Sequence, residues 1–190
     1  MKLQTTYQTL LLAACLAASA AQAAEVAGVR IDDTVKVGGS ELVLNGAGVR
    51  SKFFVKVYVG ALYAAQKATT PAALYDSPQP RRMLLRLMRE LEAKKLQEAL
   101  DEGLRNNLSA AELAAARGPI EQLGKLFESI GKAREGDAIT LDFSSQGVAI
   151  GFNNEPRGTV GNGDFAKMLL RVWLGDEPAD AGLKKALLGG

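Results

Sequence analysis

Alternation of side chains over Leu44–Ala64, LNGAGVRSKFFVKVYVGALYA, constrains this chain more than any other feature. Successive side chains of a strand point to opposite faces. Read as one strand from Arg50 to about Leu62, the run puts Ser51, Phe53, Val55, Val57 and Val59 on one face, a core face. The other face carries Arg50, Lys52, Phe54, Lys56 and Tyr58. A half-buried strand of this kind needs a sheet around it and a second layer to cover its apolar side. Gly46 and Gly48 in front of it fit a tight turn or bulge that redirects the strand. They do not make a dinucleotide fingerprint, because the third glycine is missing and a strand follows where a helix is required.

The remaining pattern supplies that sheet and that layer. Short β-branched runs at Val26–Ile31 and Thr34–Val37 precede a Gly38-Gly39 turn, which reads as a hairpin. Residues 68–80 read as a Pro-rich loop or short helix, and Arg81–Arg89 as a further strand. Leu96, Leu100, Gly103 and Leu104 recur at the helical period, and Leu91 and Ala99 lie near the same stripe. Ser109 and Glu112 form a capping-box pattern, and Pro119 reads as the start of another helix. Ile139, Leu141 and Phe143, then Val148, Ile150 and Phe152, alternate around a Ser-Ser-Gln-Gly turn. Pro156–Gly163 reads as a loop into a helix that buries Phe165, Leu169 and Val172, and a short helix closes the chain. Strands, helices, strands, helices in that order make one α+β domain with an antiparallel sheet, not alternating βαβ.

Composition narrows the function. The chain has 190 residues, a net charge of +2 and no histidine. Without histidine there is no Ser-His-Asp or Cys-His catalysis, no HExxH zinc site and no histidine-held haem. No metal or cofactor is expected. Ser129 and Lys132 are spaced for a Ser-Lys pair but sit at a predicted helix end, where such residues are common. Both signs of charge are spread along the chain, so nothing points to nucleic acid. Asn107 begins a formal glycosylation sequon inside a helical stretch.

The first residues read as a leader. Lys2, an apolar run from about Leu10, and Ala21-Gln22-Ala23 follow the order of a secretory signal peptide, with cleavage expected after Ala23. The domain is then 24–190, the destination the periplasm, and the mature chain is free of cysteine. Leu12–Cys15 also resembles a lipobox, so a lipid anchor at Cys15 is the alternative. No other apolar run is long enough to cross a membrane as a helix.

For the second face of the Arg50 strand, pattern leaves two readings open. It is a solvated face on which long side chains lie, or it is one wall of a ligand cleft. Arginine suits carboxylate, enolate or carbonyl oxygens, because its donors are planar and permanently charged. In a straight strand, eight residues would hold Arg50 and Tyr58 about 26 Å apart. One small ligand could meet both only after a bend.

The stretch Leu44–Tyr63, the hairpin Ala138–Asn153 and the closing Asn162–Gly189 together resemble the chalcone isomerase-like superfamily, nearest its exported bacterial branch. The resemblance runs from about Val26 to Leu188. It implies an open-faced β-sandwich: an antiparallel sheet, a helical layer on it, and a ligand cleft between. It implies that Arg50 stabilises negative charge, as in the plant enzymes, or holds a carboxylate, as in fatty-acid-binding relatives. Tyr58 would be its partner, with Tyr63 the next candidate and Phe54 lining the apolar part. The chain departs from the enzymes where they carry a tyrosine and an asparagine, near Lys95 and Glu102 here. It departs again where they carry a hydroxyl residue, at Phe165-Ala166-Lys167. The leading expectation is therefore a non-catalytic binder of a small amphipathic acid such as a fatty acid. The alternatives are an intramolecular lyase of the chalcone isomerase type and a cell-envelope interaction module without ligand.

Overall fold

The structure is a computed structural model and describes residues 23–190. The leader and Cys15 lie outside the described residues, apart from Ala23. The chain begins with a two-stranded hairpin, β1 (Ala23–Val26) and β2 (Val29–Asp32), closed by Ala27 and Gly28 with φ of 51° and 83°. Val26–Ile31 thus holds the end of β1, the Ala27–Gly28 turn and most of β2, where the sequence suggested one strand. There follow β3 (Thr34–Val37), β4 (Ser40–Lys52), β5 (Val55–Ala64), α1 (Pro71–Tyr75), β6 (Arg81–Leu87) and β7 (Leu91–Glu92). Two long helices, α2 (Ala93–Asn107) and α3 (Ala110–Ile130), lead through β8 (Lys132–Ala133) to β9 (Ala138–Ser144), β10 (Gly147–Phe152) and β11 (Glu155–Val160). The chain closes with α4 (Gly163–Leu174) and α5 (Ala181–Leu187).

Seven strands form one antiparallel sheet in the order β11-β10-β9-β6-β5-β4-β3. Its inner face contributes Leu62, Met83, Leu85, Ile139, Leu141, Phe143 and Ile150 to the main core. Helices cover that face with Leu100 and Leu104 of α2, Phe127 of α3, Leu169 and Trp173 of α4, and Leu183 of α5. This is the α+β, sheet-and-helix architecture expected from the element order. A second, smaller core lies on the outer face, where Ile31 of β2 packs over Leu42, Val59, Ala61 and Tyr63. The β1–β2 hairpin so covers part of the face that an open-faced sandwich would leave bare.

Local chemistry explains the helix ends. Ser109 and Glu112 make the reciprocal capping box. Asn162 and Asp180 cap α4 and α5 through their side-chain oxygens. Pro119 starts no helix: it lies inside the continuous α3. Its missing N–H leaves one carbonyl a turn earlier without a helical donor, yet burial of Ala116, Leu123 and Phe127 on both sides keeps the helix whole. Pro156–Val160 belongs to the edge strand β11, not to a loop. An edge is where a sheet tolerates proline.

The run Leu44–Ala64 departs furthest from the expectation of a single strand. Arg50 to Leu62 is not one strand. Phe53 and Phe54 take left-handed φ values of 50° and 64°, and the chain reverses there into the β4–β5 hairpin. Two-residue hairpin turns need positive φ at both positions, and Asn-Gly is the usual solution. Two aromatic residues carry no turn signal, so alternation alone predicts a strand that continues through the reversal. Phe53 and Val55, expected in the core, are exposed.

Candidate functional site

The hairpin turns a distance into a contact. Arg50 of β4 and Tyr58 of β5 are register partners across the two strands. A bulge at the Arg50/Ser51 step leaves Val57 without an opposite residue, and both side chains face the helical layer. The Arg50 guanidinium carbon sits 5.6 Å from the centre of the Tyr58 ring, a cation–π arrangement. The 26 Å separation of a straight strand does not arise.

The glycines in front of Arg50 act through closeness, not through unusual dihedrals. A Cβ on Gly46 would collide with the Ala186 carbonyl oxygen, and one on Gly48 would lie 2.7 Å from Ala186 Cβ. Gly60, opposite Gly48, faces Leu183. Three glycines thus let α5 lie directly on the sheet backbone. Asn45, the extra residue of a second bulge, is buried and ties that region together. Its amide donates to the carbonyls of Ala68 and Leu187 at 2.9 and 2.6 Å and accepts from Ala68 N–H at 2.6 Å. With α5 so placed, its capping residue Asp180 accepts from Ser51 N–H at 3.1 Å and from Leu183 N–H at 2.9 Å.

Arg50 is 7% exposed. Its Nε has no hydrogen-bond partner, and it joins no ion pair among the described residues. A buried cation is costly unless paired, and the Tyr58 ring offsets only part of that cost. The Tyr58 hydroxyl accepts a hydrogen bond from Trp173 Nε1 at 2.9 Å. Burial pushes the phenol up to about 12, against the opposing pull of Arg50 and Trp173. Tyr58 therefore stays a neutral phenol at physiological pH, and its own O–H remains free to donate.

Above Arg50 opens a groove of about 340 Å³ between the β4–β5 hairpin and α2. Val57, Leu91, Leu96 and Ala99 supply apolar walls. Lys52, Lys95, Glu98 and Glu102 supply a charged rim. Lys52 reaches across to Glu102 at 3.6 Å, and Lys95 holds Glu98 at 2.8 Å, which draws the Glu98 carboxyl below its usual range. Inward of Arg50 lies a void of only about 10 Å³, bounded by Tyr58, Leu85, Leu96, Leu100 and Val172. It is room for one water at most, so the seam between α2 and the sheet is packed shut. Larger hollows beside residues 64–79 and between the β1–β2 turn and Arg86 lie away from Arg50.

Of the four residues expected at the site, two meet. Phe54 stands fully exposed at the hairpin tip and lines no groove with Arg50. Tyr63 is five residues from Tyr58, an odd step on the same strand, so it faces the outer core. There its hydroxyl donates to the Asp32 carbonyl at 2.9 Å. Lys95 and Glu102, where the sequence departs from the enzymes, both stand on the groove rim. Phe165 and Ala166 are core residues. Ser129 Oγ donates to the Leu126 carbonyl within its own helix, far from a Ser-Lys arrangement. Trp173 and Asp180 were missed. Asp180 had a signal, the N-cap pattern of the last helix. Trp173 had none, because only packing brings α4 against β5.

Among the described residues no cluster of metal-ligating side chains occurs, and no helix is long and apolar enough to cross a membrane. No curated protein matches the sequence. The crystal structure of the Arabidopsis thaliana fatty-acid binding protein AtFAP1 is similar, with a TM-score of 0.66 at 16% identity over 85% of this chain and 92% of that one. At that identity the likeness speaks for the fold. The sequence model described as chalcone isomerase-like matches residues 23–189, nearly all of the described chain. The chain belongs to the chalcone isomerase-like family.

Proposed function

We propose that this protein is a non-catalytic binder of a small amphipathic acid, a fatty acid being the best-fitting class. The observation that carries the reading is Arg50: a guanidinium 7% exposed, without a carboxylate partner, at the floor of a groove of about 340 Å³. That volume falls in the range of small-molecule sites. The acid's carboxylate pairs with Arg50, and Tyr58 donates to it through its free O–H. The chain lies along Val57, Leu91, Leu96 and Ala99, and a longer chain parts the α2–sheet seam at Leu96 and Leu100. The resemblance in fold to a protein named as a fatty-acid binder supports the same class of ligand.

The groove offers little for chemistry. Tyr58 is held neutral by burial, and the four rim groups are lysines and glutamates tied in two ion pairs, Lys52–Glu102 and Lys95–Glu98. A closed interaction module would have no hollow beside Arg50, and the groove weighs against it. The test is palmitate titration of delipidated protein by calorimetry, wild type against Arg50→Ala. A loss of about tenfold to a hundredfold is expected from one charge-assisted hydrogen-bond pair. Equal affinities would remove the reading. Hydroxychalcones are the parallel screen: cyclisation above background would favour the lyase.

Export is part of the proposal. The leader directs the chain to the periplasm, with residue 24 as the mature start. Intact mass of protein from the cell envelope distinguishes this from lipidation at Cys15, which adds the mass of the acyl chains and leaves Cys15 as the first residue.

A further inference from the structure

Phe53, Phe54 and Val55, at the tip of the β4–β5 hairpin, have no part in the groove, and the composition of the tip is unusual. Phe53 and Phe54 are 86% and 105% exposed, and Val55 beside them is 43% exposed. The tip projects beyond the sheet. On one side, β3 pairs with β4 only up to Val43; on the other, the β5–β6 register begins at Tyr58. Lys52–Val55 and Ser51–Lys56 therefore pair with each other alone. Lys52 and Lys56 flank the aromatics. From Leu42 to Tyr75 the chain contains no acidic residue and four cations, Arg50, Lys52, Lys56 and Lys67. Lys52 is answered by Glu102, whereas Lys56 has no carboxylate partner among the described residues. Both turn positions demand positive φ, where Asn-Gly is unstrained and phenylalanine is not. Folding alone gives no reason for this pair, and neither ring contributes to a core.

We propose that the β4–β5 tip is a docking element for an anionic lipid surface. Exposed phenylalanines bury at the boundary between lipid headgroups and acyl chains, and lysines beside them are attracted by anionic lipids. A protein partner fits less well. A stable protein interface needs roughly 1,000 Å² of complementary surface, and the patch is three side chains on a protruding turn. The proposal is independent of the groove's ligand, although Lys52 joins both features, so docking would set the groove mouth against the lipid.

The test is co-sedimentation of the protein, expressed from the full chain, with phosphatidylcholine vesicles and with mixed phosphatidylcholine/phosphatidylglycerol vesicles. Wild type is compared with Phe53→Asn/Phe54→Gly, which installs the unstrained turn and leaves the rest of the chain, leader included, in place. Expected is a fall in binding to the mixed vesicles of about tenfold, with a melting temperature no lower than wild type and unchanged palmitate affinity. Lys56→Gln is expected to keep some vesicle binding and lose much of the preference for phosphatidylglycerol. The proposal is overturned if the double variant sediments as wild type does, or if wild type shows no preference for the mixed vesicles. It is also overturned if wild type ignores vesicles but forms a dimer that the double variant loses; the tip would then be a contact between copies.

Discussion

On the proposed function, Arg50 sets a conflict between stability and binding. Replacing a buried, unpaired charge with an apolar side chain of similar length removes a desolvation cost. Arg50→Met is therefore expected to raise the denaturation midpoint while weakening palmitate binding by about tenfold to a hundredfold; a midpoint below wild type would show that the guanidinium stabilises the fold. Tyr58 gives a pH prediction. Its folded pKa is raised to about 12 from the ordinary 10.0, because burial disfavours the phenolate. The stabilisation is fully present below pH 10 and is lost as pH rises from there through about 12, a change of about 3 kcal/mol. Urea unfolding on either side of that window checks it, with Tyr58→Phe as the variant in which this part of the loss disappears. At neutral pH, Tyr58→Phe is itself expected to cost about 1–3 kcal/mol, since Trp173 Nε1 keeps its burial and loses its acceptor. Arg50 could be singled out in the sequence through the resemblance of its Gly-Ala-Gly-Val-Arg stretch to the family, because pattern alone left its face open. Its pairing with Tyr58 could not, because the turn between them is made by residues that carry no turn signal.

Glycines of the same residue type have opposite roles in different elements. In β4, Gly48 leaves room for α5, and an added methyl would press on Ala186 and Leu183. Gly48→Ala is expected to destabilise by about 1–3 kcal/mol, as overpacking does. It should also weaken palmitate binding, since α5 carries Asp180 to the Arg50 end of the site. In α3, Gly124 has only the Gln97 amide within van der Waals range. Gly124→Ala is expected to stabilise by about 0.5–1 kcal/mol through helix propensity. Thermal melts of the two variants side by side separate packing from propensity; a like sign for both would refute the distinction. The elements themselves were readable where period and punctuation agree. The Ser109–Glu112 box and the alternation of Ile139, Leu141 and Phe143 appear as expected. Reading failed where a residue acts against its usual meaning: Phe53-Phe54 as a turn, Pro119 inside a helix, Pro156 in an edge strand.

For the whole molecule, the closed seam between α2 and the sheet is the determining feature. The groove holds about 340 Å³ outside Arg50, and only about 10 Å³ lies inside it. A long acyl chain must therefore displace packed side chains, and α2 is the element whose contacts change. Hydrogen exchange across α2 is expected to slow when palmitate is added to delipidated protein, more than across α4, which contributes no residue to the groove beside Arg50. Uniform exchange with and without palmitate would confine the ligand to the outer groove. By itself the sequence determined the class of fold, the helical layer and the absence of histidine-based chemistry, because these follow from local periodicity and composition. Only the tertiary structure decided that Arg50 is buried without a carboxylate, that Tyr58 stands opposite it, and that Tyr63 and Phe54 do not. Those facts depend on where the chain reverses and how closely α5 approaches, and both are set by contacts between residues far apart in the chain.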